Sequence, residues 1–183
     1  MTTVEECEIK SPEELAGQCQ AGCRDAFELL VRQYADRIFH FILRWSGNHA
    51  DAQDLTQETF LKAYRSIHRF DTTCSFTAWI FTIARNTAIN HCQRTPRFDP
   101  LPEDHRSSAP DPAEQLEVSD AQSSLWTVAR RLKKKQYEAL WLRYGEDLDL
   151  TEIARVMRTN TLHVRVLLHR ARRELARHLT HRH

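Results

Sequence analysis

Asp51, Asp54 and Glu58 fall at i, i+3 and i+7 within DAQDLTQETFLKAY (51–64). On a helix that spacing puts three carboxylates on one side, where they can hold a hard cation such as Mg²⁺ for metal-assisted hydrolysis. Such a nuclease also needs a group to activate water. No His falls in a motif that would do so, and the acids adjoin an ordinary helix cap. A second set has the opposite sign. Arg165, His169, Arg172, Arg173 and Arg177 crowd the last thirty residues, with almost no acids among them. Arginine pairs bidentately with guanine O6 and N7 or holds phosphates, and each phosphate contact releases counterions. A third set lies in residues 66–94, where Phe70, Phe76, Trp79 and Phe81 alternate with His68, Arg69, Arg85, Asn86, Asn90 and Arg94. Rings that stack on bases beside cations that hold phosphates suit single-stranded DNA. A Thr/Ser/Asp-rich loop can line a pocket for a flipped base.

The elements that must carry these groups are helical. Gly is scarce, and Leu, Ala, Arg and Glu are abundant. Ser11-Pro12-Glu13-Glu14 reads as a capping box with Pro at the first helical position. Asp25 and Glu28 read as a second capping pair. After them Phe27, Leu30, Val31, Tyr34, Ile38, Phe41, Ile42 and Trp45 recur at three- and four-residue spacing, and Gly47 can end that helix. Asn48 with Asp51 starts the next, with Ala52, Leu55, Thr59, Ala63 and Ile67 inward. A loop at 68–74 follows. Ser75 then caps a helix whose inward stripe is Phe76, Trp79, Ile80, Ile83, Ala84 and Thr87. That stripe assigns Phe76 and Trp79 to a core and leaves His68, Phe70 and the loop for contact.

Five of the six prolines (96, 100, 102, 110 and 112) stand between this module and the next, amid Ser, Asp and Glu. Few apolar residues there can be buried, so this is a linker. Helical periodicity resumes near Ala113 and continues through Leu116, Leu125, Val128 and Leu132, and Tyr137, Leu140, Trp141 and Tyr144 mark the next helix. Asp149 with Glu152 caps a short helix carrying Ile153, Ala154 and Met157. A turn at 158–161 leads to a last helix with Val164, Leu167, Leu168, Ala171, Leu175 and Leu179 on its apolar side. Two short helices around a tight turn, the second basic, fit a helix-turn-helix, although its turn lacks Gly.

Charge follows the same division. The formal net charge is only +1. Residues 1–26 nevertheless sum to −4 and 98–120 to −6, while 151–183 sum to +6 from eight arginines and two glutamates. A basic end on a near-neutral chain marks a local polyanion site. No apolar run is long enough for a transmembrane helix, and the acidic start lacks a signal-peptide core, so a cytoplasmic protein is expected. Five Cys, an odd number without a C-x-x-C pair, do not make a disulfide framework. Cys19 and Cys23 can share a helix face, and small buried hydrophobes is their ordinary role. His178, His181 and His183 read as a polar tail rather than a metal site.

Four stretches in order resemble the extracytoplasmic-function (group 4) sigma factors of bacterial RNA polymerase, over about residues 25–179. DAFELLVRQYADRIFHF resembles the opening of their region two, and DAQDLTQETFLKAY the segment that docks on the polymerase clamp. FTAWIFTIARNTAINHCQR is similar to the part that meets the minus-ten element. LTEIARVM followed by LLHRARREL resembles region four, which reads the minus-thirty-five element. The resemblance implies an all-α protein of two small helical domains joined by a flexible acidic linker. It divides the chain into an acidic N-terminal extension or first helix (1–24), region two (25–94), the linker (95–118) and region four (119–183). It implies a non-enzymatic factor without ATP, metal or other cofactor. That factor would give core polymerase its promoter specificity through the β′ clamp helices, the β flap and promoter DNA, and an anti-sigma factor would typically silence it.

The site residues expected on this basis fall in three groups. For core polymerase they are Asp51, Asp54, Gln57, Glu58 and Leu61, with Phe60 and Leu61 divided between core and interface anchor. For the minus-ten strand they are His68, Arg69, Phe70, Asp71, Thr72, Ser75, Arg85, Asn86, Asn90 and Arg94. For the minus-thirty-five duplex they are Thr161, His163, Arg165, Val166, His169, Arg170 and Arg173. The chain departs from the family where Gly-Thr-Val is common in the turn, having Leu162, His163 and Val164. It also has Val166 and Leu167 where a small polar residue and an Arg are usual, so two potentially DNA-facing positions are apolar, which implies either methyl contacts to thymine or packing of this helix against a partner. A stand-alone helix-turn-helix regulator is the alternative, but it leaves the aromatic first module without a role.

Overall fold

The computed structural model describes residues 10–94, 126, 128–129 and 131–180, with side chains as far as 177. The stretch read as a linker, Leu125, His181 and His183 lie outside the described residues, and the side chains of His178 and Leu179 do as well. Among those described there are seven α-helices and no strand: α1 (Pro12–Gln20), α2 (Arg24–Ser46), α3 (His49–Ser66), α4 (Phe76–Arg94), α5 (Lys134–Tyr144), α6 (Leu150–Val156) and α7 (Thr161–Thr180). A 3-10 turn, Ile67–Arg69, follows α3.

Most helix ends form where local chemistry requires them. Ser11 and Glu14 close a reciprocal capping box on α1, and Asp149 and Glu152 close another on α6. Asn48 accepts from the Asp51 N–H at the start of α3. Gly47 ends α2 with φ at +69°, a left-handed conformation that costs Gly little. The expected Asp25–Glu28 capping pair does not form. The N-cap of α2 is Cys23, without a side-chain bond, and Asp25 sits inside the first turn, where its charge favours the helix dipole. Cys19 ends up in α1 and Cys23 beyond it, so the two do not share one helix face.

α1 to α4 pack around Leu30, Tyr34, Ile38, Phe41, Ile42, Phe76, Ile80 and Phe81, all nearly or fully buried. The five inward positions read for α3, Ala52, Leu55, Thr59, Ala63 and Ile67, are buried as well. Phe60 joins them in the core, while Leu61 remains on the surface, 56% exposed. In the second module Leu132, Tyr137, Leu140, Ala171 and Leu175 form a smaller cluster with Val128 and Ala129.

The two modules are docked on each other. One continuous apolar cluster runs from the first module through Ala139, Leu142, Leu148, Ile153, Val156, Val164 and Leu168 of the second. Two ion pairs cross the same boundary, Arg37 with Glu146 and Arg85 with Glu138. The Arg44 guanidinium donates to the Leu132 carbonyl at 2.7 Å and lies over the Tyr137 ring. Sequence periodicity gave no sign of this contact, because a stripe records that a side is buried and not what buries it.

Candidate nucleic-acid interface

α3 turns its acids outward. Asp54, Gln57, Glu58 and Leu61 are exposed, and Asp54, Glu58 and Leu61 follow one line at i, i+4 and i+7. Asp51 is half-buried and faces His91 of α4 at 3.5 Å, an ion pair only when that His is protonated. Lys62 leans inward, donating to Thr87 at 3.1 Å and pairing with Glu58 at 2.7 Å. The three carboxylates therefore do not converge. Among the described residues no three of His, Cys, Asp and Glu come together as metal ligands.

The loop before α4 is built from distant parts. Gln20 donates from its amide to the carbonyls of Ile67 and Phe70, at 2.8 and 2.7 Å. Glu13 of α1 accepts from the Phe76 N–H at 2.8 Å, and Ser75 accepts from the Ala78 N–H, so two side chains cap α4. Asp71 accepts from the N–H and hydroxyl of Thr73, and those bonds hold its carboxyl below the usual range. Gln20 and Glu13 escaped sequence reasoning. Their partners lie 47 to 63 residues away, beyond any local pattern.

Several residues expected at the minus-ten strand are engaged within the protein. Phe70 is 5% exposed; its ring packs edge-on against Phe76 and tilts over Trp79, so it belongs to the core. Ser75 is half-buried and its hydroxyl is spent on capping. Asp71 is exposed, but its carboxylate shapes the loop. Arg85 is 8% exposed and bound to Glu138 of α5. His68, Arg69, Thr72, Asn90 and Arg94 are exposed as expected, and Asn86 is half-buried. Trp79, assigned to the core by its stripe, is only partly buried and lies in line with Ile83, Asn86 and Asn90.

The two buried glutamates differ. Glu146 has both oxygens engaged, one by Arg37 and the other by the Trp141 indole at 3.0 Å. Glu138 gives one oxygen to Arg85, and its other oxygen has no hydrogen-bond partner. Burial raises both carboxyls above the ordinary range, while the paired arginines pull them back.

α7 is a different surface. Val164, Leu167, Leu168, Ala171 and Leu175 are buried against α5 and α6. Leu167 was expected to face DNA; at 6% exposure it is core, because it sits three residues from Val164 and four from Ala171 on the inward side. His163, Arg165, Val166, His169, Arg170 and Arg173 are exposed, and Thr161 is half-buried. Asn160 accepts from the His163 N–H at 2.7 Å and fixes the helix start. Arg158 supplies the tight turn that lacks Gly, adopting φ +51° itself. Arg143, Arg165 and Arg172 border one shallow depression, and Arg172 also lies over the Tyr144 ring. Leu162, 67% exposed, was not among the expected site residues. No helix among the described residues is long and apolar enough to cross a membrane.

Comparison with known proteins places both modules. Residues 30–98 match the family model of Sigma-70 region 2, and 122–175 match that of Sigma-70 region 4. The ECF RNA polymerase sigma factor BldN of Streptomyces coelicolor is 37% identical over 90% of this chain, which spans 64% of that protein. RNA polymerase sigma-H factor of Pseudomonas aeruginosa is 32% identical, with 87% of this chain and 89% of the other aligned. Among solved structures, CnrH in complex with the cytosolic domain of CnrY has a TM-score of 0.66 at 22% identity, covering 93% of this chain and 98% of that one. RpoE bound to the anti-sigma factor NepR from Bartonella quintana has a TM-score of 0.61 at 22% identity, covering 84% and 96%. At that identity the two structures speak for the fold.

Proposed function

Since the chain belongs to the extracytoplasmic-function sigma factors of the sigma-70 family, we propose how its surfaces divide the work of directing RNA polymerase to promoters. As a sigma factor it is a transcription initiation factor and not an enzyme. Residues 25–94 form the polymerase-binding and minus-ten module, 95–118 the acidic linker, and 119–183 the upstream-element module. The outward acids of α3, Asp54 and Glu58 with Gln57 around Leu61, dock on the basic β′ clamp helices. Opposite charge steers the encounter, and the exposed Leu61 anchors it. The loop and outer side of α4 take the unpaired strand: Arg69, Asn90 and Arg94 hold phosphate and base edges, and Trp79 offers a partly open ring for stacking. α7 enters the major groove of the minus-thirty-five duplex, with Arg165, Arg170 and Arg173 on phosphates and base edges. The second module also touches the β flap. The protein works in the cytoplasm, and an anti-sigma protein is its regulatory partner.

One observation carries this reading: the outer side of α7 is entirely exposed and bears five arginines, with one half-buried glutamate on the whole described length of the helix. In the docked arrangement Arg85 is occupied by Glu138, so its use on DNA requires the modules to part. Start-site mapping with core polymerase tests the whole. Adding the protein gives initiation at specific sites that core alone does not use; unchanged transcription would exclude the reading. Charge reversal at Asp54 and Glu58 weakens core binding while leaving helicity intact, and lost helicity would return those acids to a purely structural role.

A further inference from the structure

On α7, Leu162, Val166, His169 and Arg173 follow one line at i, i+4, i+7 and i+11, and this line lies opposite the buried residues Val164, Leu168 and Ala171. Its leading two positions are apolar. Leu162 is 67% and Val166 37% exposed, among the few large apolar side chains that the described residues leave in solvent. They stand in the first two turns, the part of a second helix-turn-helix helix that reaches base edges. Around them the helix is cationic, with Arg165 and Arg170 flanking the line. That charge excludes a basic or purely apolar partner and favours a polyanion. Within the major groove of a duplex, the apolar group displayed by a base pair is the thymine C5-methyl.

Resting on the reading of α7 as the major-groove helix, we propose that Leu162 and Val166 form an apolar edge that selects thymine in the upstream element by contact with its C5-methyl group. Arg165 and Arg170 hold phosphates and neighbouring base edges on either side and set the depth of insertion. Along the helix axis the two side chains stand about 6 Å apart, close to the rise of two base steps of about 3.4 Å each. One helix edge can thus address thymines within a short T-rich step. The polar positions that would read guanine or adenine by bidentate bonds are absent from this leading edge.

The test uses the full-length protein with core polymerase and templates randomised across the upstream element. Sequencing of transcripts should reveal thymine enrichment at one or more positions with the unaltered protein, and loss of that enrichment with Leu162→Ala/Val166→Ala. Replacing each enriched thymine by deoxyuridine removes only the methyl group. It should lower promoter use about fourfold per methyl, equivalent to about 0.8 kcal/mol, and should have no effect with the double variant. Both side chains are exposed and Ala favours helix, so circular dichroism should show the variant folded. Equal thymine enrichment by both proteins, or indifference to deoxyuridine, would overturn the proposal. If Arg165→Ala/Arg170→Ala still lowers upstream-dependent initiation in that case, α7 reads DNA by other means. If those arginines also prove silent, the major-groove reading fails with it. Weakened core binding by the double variant with no response to deoxyuridine would assign the edge to a protein partner instead.

Discussion

α4 and α7 both carry cations proposed to meet DNA, and the fold treats them oppositely. Arg85 of α4 is buried between the modules and neutralised by Glu138, whereas Arg165, Arg170 and Arg173 of α7 stand in solvent. The same residue type therefore does two jobs. On α7 it is free for a polyanion. On α4 it holds two modules together through a pair whose glutamate keeps one oxygen unpartnered. A buried pair of this kind adds little net stability over apolar packing, yet its half-removal leaves an uncompensated charge. It suits a contact that has to be exchanged.

The sharpest way to break this comparison is to remove one arginine from each helix. Arg85→Ala leaves Glu138 buried without its cation and should destabilise the protein by about 3–5 kcal/mol in urea unfolding. Arg173→Ala should change stability by less than about 0.5 kcal/mol. Equal losses would mean that Arg85 is not what neutralises Glu138. Arg85→Leu/Glu138→Leu should recover most of the stability of Arg85→Ala, since the apolar pair carries no buried charge.

Smaller effects separate the devices that position each helix. Gln20→Ala frees two carbonyls of the loop before α4 and should cost about 1–3 kcal/mol. Asp149→Ala removes the cap of α6 and should cost about 1 kcal/mol. Hydrogen exchange should localise the first loss to 67–76 and the second to 149–157. Exchange that rises evenly over both modules would show that the docked protein opens only as a whole.

A pH effect sharpens the comparison further. The folded state raises the Glu138 carboxyl above its ordinary 4.5 through burial, so the folded protein binds this proton more tightly than the unfolded chain. Its contribution to stability is then fully present below pH 4.5 and is lost as pH rises through the folded value. Relative to Glu138→Gln, which cannot titrate there, the unaltered protein should gain stability as pH falls from 7 toward 4.5. A constant difference between the two across that range would contradict a raised Glu138.

Much of this architecture was legible in the residues. The α3 stripe, the Ser11, Asn48 and Asp149 caps and the apolar side of α7 as far as Leu175 all rest on periodicity or on partners within four residues, and each formed. Apart from the Asp25–Glu28 cap, a local pair that does not form, most of what failed depended on distance. Phe70 reads as a loop aromatic until Phe76 and Trp79 fold over it. Arg85 reads as an exposed cation until Glu138 pairs with it from 53 residues away. Leu167 reads two ways: family position suggests a DNA-facing residue, while its spacing from Val164 and Ala171 puts it on the apolar side, and burial decides for the second. Leu162 was passed over because an apolar residue in a turn suggests no chemistry until its exposure is known.

The division between the two helices is tested most directly by initiation assays with core polymerase on a promoter that depends on its upstream element. Arg165→Ala/Arg170→Ala should reduce initiation there roughly tenfold or more, by the usual worth of such contacts, while leaving core binding and folded stability unchanged. Initiation equal to that of the unaltered protein would remove α7 from DNA reading and contradict the account.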